Sequence, residues 1–552
     1  GFFNLRFNSC LYFFLSIQLT MMQKIEIKNG IIVDGSGSDS YIGNVYLADR
    51  QIIAITRGEE LSSDISIDAT GKIVSPGFID LHSHSDFSFL LDSSAQSKLR
   101  QGVTMELLGN CGFSLCAPLN KYTKEDFFSW ISEYTDQFDI TWSDFAGYIA
   151  ASKKAGSTIN LAFQVGHGTL RAAVMGYEDK TPSAIELAQI KNLAGECLDA
   201  GALGLSTGLV YSPGTYSRTD ELISVAEEVS KRNKLYSTHQ RDEGNDSVGL
   251  YVSLNEAIEV GRRAGCKVQV SHVKCDSKAV WGTAEKYINL LESANKEGLD
   301  IAGDQYPYNR WSTSLAGGLF PIWAQSGGRE ETLKRMADED QRAVMIDDLN
   351  TLFDRRKGPQ AVMIGRYSED ESFEGKNLVE IAEIMQTNPA EAALRLYQNS
   401  DPVIIEDGII DEDIEKFVKH PLIAVASDGN SVSKEGILSA GKPHPRFYGT
   451  NPRFIEKYVN QKKIVSIEEA VRKMTSLPAE RIGLTRRGRL TPGFAADIVI
   501  MDLPNVKENS TFLDPHQYPS GITHVIVNGE IAIEDEKFTG KISGEMITDF
   551  NS

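Results

Sequence analysis

The sequence has 552 residues, a length that can bury a large core and usually holds more than one domain. Hydrophobic residues make up 41% of the chain and charged residues 24%, which is typical of a globular protein. The formal net charge of -20 argues against nucleic acid or an anionic membrane as a partner, because both favour basic surfaces.

Residues 1–21 differ from the rest of the chain. They contain Arg6 and then a mainly apolar stretch over 11–19, without a small-residue cleavage motif. This stretch is too short to predict a membrane span. We expect an extension or a weak signal-like segment here, with a secretory signal as the alternative. The six cysteines show no CxxC pattern, which favours a reducing, cytoplasmic location.

From residue 22 onward, short strand-like runs separated by turns predict a small all-β unit over 22–75. Ile25 and Ile27 alternate with polar residues, and the Asn29-Gly30 pair is typical of a hairpin turn. Strand patterns return at 496–501 and 523–527. We expect the two ends of the chain to pair, so that 22–75 and 486–552 form one β-domain.

Over residues 76–485, strand-like runs alternate with amphipathic helical stretches, which is the pattern of βα units. Helices are predicted at about 125–153, 183–200, 219–232, 247–264 and 277–297. Strands are predicted at 78–81, 103–108, 159–165, 204–207, 235–238, 268–271, 300–303 and 423–426. Eight such units predict an α/β fold, a (β/α)8 TIM-like barrel. A doubly wound open sheet is disfavoured because no Gly-rich dinucleotide loop follows an early strand.

The seventh and eighth predicted strands lie about 120 residues apart, several times a normal connection. This stretch contains a predicted charged helix at 329–356, a strand at 362–364 and a helix at 378–397. Insertions of this kind belong on the loops of a barrel. We therefore expect an insertion or lid over 312–420, beside the site.

Residues that can bind a metal fall at the carboxyl ends of the predicted strands, which in a barrel converge on one face. They are His82 and His84 after the first strand, Cys111 after the second, His239 after the fifth, His272 after the sixth and Asp428 after the eighth. The two residues of the His-x-His pair point the same way from an extended chain. Four of the nine histidines occupy these positions, so a shared metal site is favoured over exposed histidines in turns.

Several motifs resemble a known family. The motif PGFIDLHSH at 76–84, followed by strand-end His239, His272 and Asp428, resembles the amidohydrolase superfamily. Within that superfamily, the chain resembles the N-acyl-D-amino-acid deacylases, or D-aminoacylases. The motifs that carry this closer resemblance are GNCGFS at 109–114, GLSTGLVYSPG at 204–214, DQYPY at 304–308 and HPR at 444–446. The resemblance runs from about residue 24 to about residue 528.

The resemblance implies a zinc enzyme with one tight metal position and a second, weaker one. The tight position would be Cys111, His239 and His272, and the weaker one His82, His84 and Asp428. Many relatives bridge two metals with a carboxylated lysine, and Cys111 takes that place here. A thiolate favours zinc over magnesium or calcium, and three protein ligands plus a water are what a catalytic zinc needs.

The activity implied is hydrolysis of N-acyl-D-amino acids to a carboxylate and a free D-amino acid. Asp428 would accept a proton from the attacking water and pass it to the leaving amine. Arg446 and Lys274 would bind the carboxylate of this small-molecule substrate. Tyr306 would donate a hydrogen bond to the substrate, and Tyr211 would line the pocket.

Two related functions stay open at this point. A cyclic-amide hydrolase, such as a hydantoinase or dihydroorotase, usually carries the lysine bridge, and Cys111 argues against it. The other open function is a hydrolase of peptides ending in a D-residue, because an aminoacyl group presents the same carbonyl to the site as an acyl group does. A metal-free structural relative is disfavoured, since all six ligand-type residues are present.

Overall fold

The computed structural model describes residues 23–115, 120, 122–124 and 140–552. The segment 1–21, Cys116 and the first part of the helix predicted at about 125–153 lie outside the described residues. The rest of the chain folds into one large barrel and two further sheets.

Strands from both ends of the chain form a single sheet. Numbered along the chain, they are β1 (Ile25–Ile32), β2 (Tyr41–Ala48), β3 (Gln51–Thr56), β4 (Ile65–Asp68), β5 (Ile73–Pro76), β17 (Ile498–Met501), β18 (Ile522–Val527), β19 (Glu530–Glu534) and β20 (Lys537–Phe538). Their order in the sheet is β20-β19-β18-β17-β5-β1-β2-β3, with β4 beside β1. The ends join where β5 pairs antiparallel with β17, and Val74 lies opposite Ile500. These side chains share one apolar cluster with Ile27, so burial holds the two ends together.

The hairpin predicted at Asn29-Gly30 is wrong. β1 continues through both residues, and its pairing with β2 shifts register between Ile27 and Gly30. Asn29 has a φ of 56°, and its N–H donates to Asn44 Oδ1 at 2.9 Å. A Cβ on Gly30 would lie 2.3 Å from Cγ2 of Val74. The Asn-Gly pair therefore forms a β-bulge packed against β5, because tertiary contacts override the local turn preference.

Eight parallel strands form the barrel and confirm the predicted fold class. They are β6 (Phe78–Asp80), β7 (Val103–Leu108), β8 (Asn160–Gly166), β9 (Gly204–Gly208), β10 (Leu235–His239), β11 (Lys267–Val270), β12 (Ile301–Gln305) and β16 (Ile423–Val425). Each pairs with the next in chain order from β6 to β12, and β16 pairs with β12. Between β16 and β6, the described residues contain only an isolated bridge at Ser83 and Gly429, so the barrel is nearly closed. A short strand, β21 (Met546–Ile547), adds to β8.

Helices surround the barrel. Those before the insertion are α1 (Ser88–Leu91), α2 (Gln96–Leu99), α3 (Phe145–Ala155), α4 (His167–Met175), α5 (Ala184–Asp199), α6 (Thr219–Ser230), α7 (Leu250–Ala264) and α8 (Ala284–Lys296). α5 starts where predicted because Ser183 and Glu186 form a capping box. α8 starts later than predicted because the N–H groups of Gly282 and Ala284 donate to the Asp413 carboxylate, which holds the preceding residues in a turn.

Between β12 and β16 the chain forms a three-stranded antiparallel sheet and several helices. The strands are β13 (Arg310–Ser314), β14 (Val362–Arg366) and β15 (Val403–Asp407), with β15 in the middle. The helices are α9 (Leu315–Leu319), α10 (Arg329–Ala337), α11 (Glu339–Arg355), α12 (Leu378–Ile384), α13 (Pro389–Asn399) and α14 (Asp411–Lys419). The helix predicted at 329–356 is interrupted at Asp338, which caps α11. The helix predicted at 378–397 is interrupted before Pro389, where Asn388 caps α13.

After β16 the chain forms α15 (Arg446–Phe454), a π-helical segment (Ile455–Gln461), α16 (Ile467–Met474) and α17 (Ser476–Ile482). Within the described part of the chain, no helix has both the length and the apolar composition needed to cross a membrane.

Candidate metal and substrate site

All six metal-competent side chains meet at the carboxyl end of the barrel. His82 and His84 follow β6, Cys111 follows β7, and His239 is the last residue of β10. His272 follows β11, and Asp428 follows β16. Because parallel barrel strands end on the same face, one strand end and short turns after four other strands are enough to bring the six together.

Cys111 and Asp428 lie at the centre of this group. Cys111 Sγ is 3.3 Å from His82 Nε2 and 3.5 Å from His272 Nε2. Asp428 Oδ1 is 3.0 Å from His84 Nε2 and 3.5 Å from His82 Nε2. The sixth side chain, His239, packs edge-on against His272 with ring centroids 4.3 Å apart. His82 therefore contacts both Cys111 and Asp428.

Three of these residues have a left-handed backbone conformation that side chains rarely adopt. The φ angle is 52° at Cys111, 34° at His272 and 49° at Asp428. Such conformations carry strain and persist only where the surrounding structure holds them. All three residues follow the end of a barrel strand, where this conformation turns the chain.

Carboxylates hold the imidazole rings from behind. Glu243 Oε1 is 2.9 Å from His272 Nδ1, and Glu243 Oε2 is 3.3 Å from His239 Nε2. Asp304 Oδ1 accepts the His272 backbone N–H at 2.8 Å and lies 3.3 Å from His82 Nδ1, at ion-pair distance but without hydrogen-bond geometry. A carboxylate on one ring nitrogen fixes the tautomer and raises the basicity of the other. The role of Asp304 was not predicted, although it lies in the DQYPY motif.

The charged groups shift one another's pKa values. Burial disfavours the Cys111 thiolate, but His82 and His272 outweigh it and hold the pKa of this thiol well below its usual range. Burial likewise opposes ionisation of Asp428, yet Arg446 and the histidines keep the pKa of its carboxyl well below the usual value. Burial disfavours protonated His239, but Glu243 and Cys111 raise the pKa of that imidazole to about 9. These surroundings therefore favour a thiolate at Cys111 and an ionised carboxylate at Asp428, the forms that bind a cation.

The donor set fits zinc. His82, Cys111, His272 and Asp428 offer ligand atoms that all lie within 4.8 Å of one another, and so do His239, Glu243 and His272. Thiolate and imidazole are the ligands that zinc prefers, whereas calcium and magnesium prefer oxygen. The buried Nδ1 of His239 has no hydrogen-bond partner among the described residues, as expected for a nitrogen available to an ion.

The four predicted substrate contacts lie at the same mouth. Arg446, at the start of α15, is buried, with Nη2 3.1 Å from Asp428 Oδ2 and its guanidinium 4.7 Å from the Tyr306 ring centroid. Lys274 Nζ is 2.7 Å from Glu243 Oε1. The Tyr211 ring lies 5.0 Å from that of His239, and its hydroxyl is 3.0 Å from Thr313 Oγ1 in the insertion.

Three buried donors close to Asp428 are unpaired. Arg446 Nε, Arg446 Nη1 and the Tyr306 hydroxyl have no hydrogen-bond partner among the described residues. A buried donor without a partner costs about 1–3 kcal/mol, so these groups are available to hydrogen-bond a water or a ligand. Cationic and hydroxyl donors grouped in this way are suited to a carboxylate.

A family model described as the amidohydrolase family matches residues 66–338 and 439–533. The chain belongs to the amidohydrolase family. This amidohydrolase is 32% identical to an N-acyl-D-glutamate deacylase of Alcaligenes xylosoxydans xylosoxydans over 512 residues, which cover 92% of the chain and 94% of the relative. It is 30% identical to a D-aminoacylase of the same organism, over 94% of the chain and 96% of the relative.

Solved structures agree with this assignment. The amidohydrolase superposes with a TM-score of 0.80 on an N-acyl-D-glutamate deacylase from Bordetella bronchiseptica, solved with zinc and a phosphonate inhibitor that mimics the tetrahedral intermediate. The two chains are 28% identical, and the match covers 96% of this chain and 100% of the other. An L-hydantoinase from Arthrobacter aurescens is 17% identical with a TM-score of 0.55, a likeness that shows the fold alone.

Proposed function

We propose that this amidohydrolase hydrolyses the amide bond of N-acyl-D-amino acids to a carboxylate and a free D-amino acid. The observation that carries the proposal is the position of Arg446, whose unpaired buried donors lie beside Asp428 at the metal-competent cluster. A substrate carboxylate bound there would place its neighbouring amide at the cluster. The deacylase names of the relatives favour the D-series.

Cys111, His239 and His272 would hold the tight zinc, and His82, His84 and Asp428 would form the weaker position. When bound, zinc supplies a Lewis acid that activates water and polarises a carbonyl. A thiolate at Cys111 and neutral imidazoles at His239 and His272 are the forms that would bind the ion, and Glu243 lies beside both imidazoles and would orient them.

Asp428 moves the proton that the reaction requires. Its Oδ1 faces His84 and its Oδ2 faces Arg446, at 3.0 and 3.1 Å. As an ionised carboxylate it accepts a proton from the attacking water and then donates it to the amine nitrogen, which would be a poor leaving group without it. Arg446 and Lys274 bind the substrate carboxylate, Tyr306 donates its hydroxyl, and the Tyr211 ring forms a wall beside His239.

Paired substrates test the proposal. Zinc-loaded protein is incubated with N-acetyl-D- and N-acetyl-L-amino acids, and free amine is measured for the wild type and for Cys111→Ala and Asp428→Asn. We expect amine release from the D-series only and a loss of about 100-fold or more in both variants. The control, Asp413→Asn, alters a buried carboxylate that accepts N–H groups before α8 and should keep the wild-type rate. Preferential turnover of the L-series, of hydantoin or of dihydroorotate would contradict the proposal.

A further inference from the structure

The first and last barrel strands meet beside Asp428 with few backbone hydrogen bonds. Asp428 N–H donates to His82 O at 2.8 Å, and His84 N–H donates to Gly429 O at 3.2 Å. No longer ladder joins β6 to β16 in the part of the chain that the structure describes. The position of Asp428 therefore depends on whatever else holds these two strand ends together.

The side chain of Lys98 lies in this gap. Lys98 belongs to the short helix α2 and is fully buried, with an exposed fraction of 0%. Its Nζ lies 2.8 Å from Asp80 Oδ2 and 3.0 Å from Glu106 Oε1, on β6 and β7. The same nitrogen donates to Ser427 Oγ at 2.7 Å and to Gly429 O at 3.0 Å. One ammonium thus joins the start of the barrel to the residues on both sides of Asp428.

The charges around Lys98 make it difficult to replace. Asp80 and Glu106 are two buried carboxylates, and Lys98 is the cation that contacts both. The hydroxyls of Ser83 and Ser85 also donate to Glu106 Oε1, at 2.5 and 3.0 Å. Without the ammonium, the two carboxylates would face each other uncompensated, a strongly unfavourable arrangement in a buried site.

The backbone at Asp428 needs this support. Its φ of 49° is a strained conformation for a residue other than glycine. Ser427 before it is held by Lys98 and by Asp80, whose Oδ1 accepts the Ser427 N–H at 2.9 Å. Gly429 after it is held by Lys98, which donates to Gly429 O at 3.0 Å, and the Ser83 hydroxyl lies 3.0 Å from the same oxygen.

We infer that Lys98 is a positioning residue for Asp428, acting through Ser427 and Gly429 to close the barrel beneath the metal and substrate site. The effect of Lys98 on kcat rests on the proposed function of Asp428 in proton transfer. The effect of Lys98 on the structure, an ordered turn at Asp428, does not depend on any activity.

The test compares two fully buried lysines that both contact the last barrel strand or its end. Lys98→Met removes the ammonium beside Asp428. The matched control, Lys473→Met, removes an amine that donates to Ile423 O at 2.7 Å, at the opposite end of β16. Hydrogen–deuterium exchange is followed in the peptides that contain His84 and Asp428. We expect exchange about tenfold faster in these peptides for Lys98→Met, and wild-type exchange for Lys473→Met.

Kinetics and zinc content complete the test. We expect kcat for the N-acyl-D-amino acid to fall about 100-fold in Lys98→Met, with KM changed by about twofold at most and zinc per chain unchanged. Lys98→Arg should recover part of the loss, and Lys473→Met should keep the wild-type kcat.

If Lys98→Met does not fold, Ser427→Ala removes the hydroxyl link while keeping the Lys98 ion pairs. It should show the same faster exchange with a loss of about tenfold in kcat.

The inference is overturned if exchange at Asp428 is the same in the Lys98 or Ser427 variant as in the control, or if kcat falls equally in both lysine variants. It is also overturned if Lys98→Met loses zinc and its kcat per bound zinc is that of the wild type. A wild type that turns over no N-acyl-amino acid, with the exchange contrast still present, would refute the proposed function and leave the positioning role supported.

Discussion

Glu243 divides its two carboxylate oxygens between two histidines of the site. Oε1 faces His272 Nδ1 at 2.9 Å, and Oε2 faces His239 Nε2 at 3.3 Å. This leaves His272 Nε2 pointing at the Cys111 thiolate and His239 Nδ1 without a partner among the described residues. A single carboxylate therefore contacts two of the three residues that we propose as ligands of the tight zinc.

Glu243→Gln should weaken zinc binding by about tenfold, because the amide keeps the shape of the carboxylate and loses the charge that makes the imidazoles better ligands. The measurement is competition with a zinc chelator at fixed pH. Glu221→Gln is the control, since Glu221 Oε1 lies 3.1 Å from His167 Nε2 in a similar buried pair outside the cluster. Equal loss of zinc affinity in the two variants would contradict an orienting role for Glu243.

At the residue scale, the sequence predicted which side chains meet at the strand ends. It did not predict the buried residues that support those side chains. His82, Cys111 and Asp428 were recognisable because a barrel brings strand ends together whatever lies between them. Lys98 was not, because its partner Ser427 lies 329 residues away and a lysine in a short helix normally indicates an exposed surface. The substrate roles of Arg446, Lys274, Tyr306 and Tyr211 stay predictions.

At the scale of elements, a buried arginine of the insertion contacts a loop of the barrel. Arg356, which follows α11, lies 2.8 Å from Glu406 Oε2 on β15 and 2.6 Å from Asp246 Oδ2 in the loop after β10. That loop directly follows His239. The insertion is therefore tied to a segment that carries a metal-competent residue.

Arg356→Met should lower the free energy of unfolding by about 3 kcal/mol, because it leaves Glu406 and Asp246 without their shared cation. The measurement is the urea unfolding midpoint together with its slope. Arg342→Met is the control: Arg342 pairs with Glu391 at 2.7 Å within the insertion, nearer the surface, and should cost about 1 kcal/mol or less. Similar losses in both variants would show that Arg356 does not anchor the insertion.

The elements were predicted unequally well. Barrel strands were found within one or two residues, because short buried runs bounded by glycine and helix signals have few other interpretations. Helix breaks were missed at Asp338 and Asn388, where a cap restarts a helix inside a continuous charged pattern. The bulge at Asn29 was missed because only the packing of Gly30 on Val74 distinguishes it from a hairpin turn.

At the scale of the whole molecule, one buried amine makes stability depend on pH. Burial lowers the pKa of Lys473 to about 7 from its usual value of 10.5, so the folded chain releases this proton at lower pH than the unfolded chain does. The unfolded state binds more protons between these values. The contribution of Lys473 to the stability of the folded chain is therefore full above pH 10.5 and declines as pH falls toward 7.

We expect the free energy of unfolding of the wild type, relative to Lys473→Met, to rise by about 2 kcal/mol between about pH 7 and about pH 9. Urea unfolding of both proteins at the two pH values provides the measurement. Subtracting the variant removes the effect of the other titrating groups. A constant difference between the two proteins would mean that Lys473 keeps an ordinary pKa.

The pairing of β5 with β17 also sets an order of events during protein synthesis. β5 is complete at residue 76, but its partner begins at residue 498, about 420 residues later. At roughly 5–20 residues per second, the ribosome needs roughly 20–80 s to make that stretch. Throughout this time one edge of β5 is open to pairing with other nascent chains, a known route to aggregation. Yield in the cell should therefore depend on chaperones that shield this edge until the last part of the chain emerges.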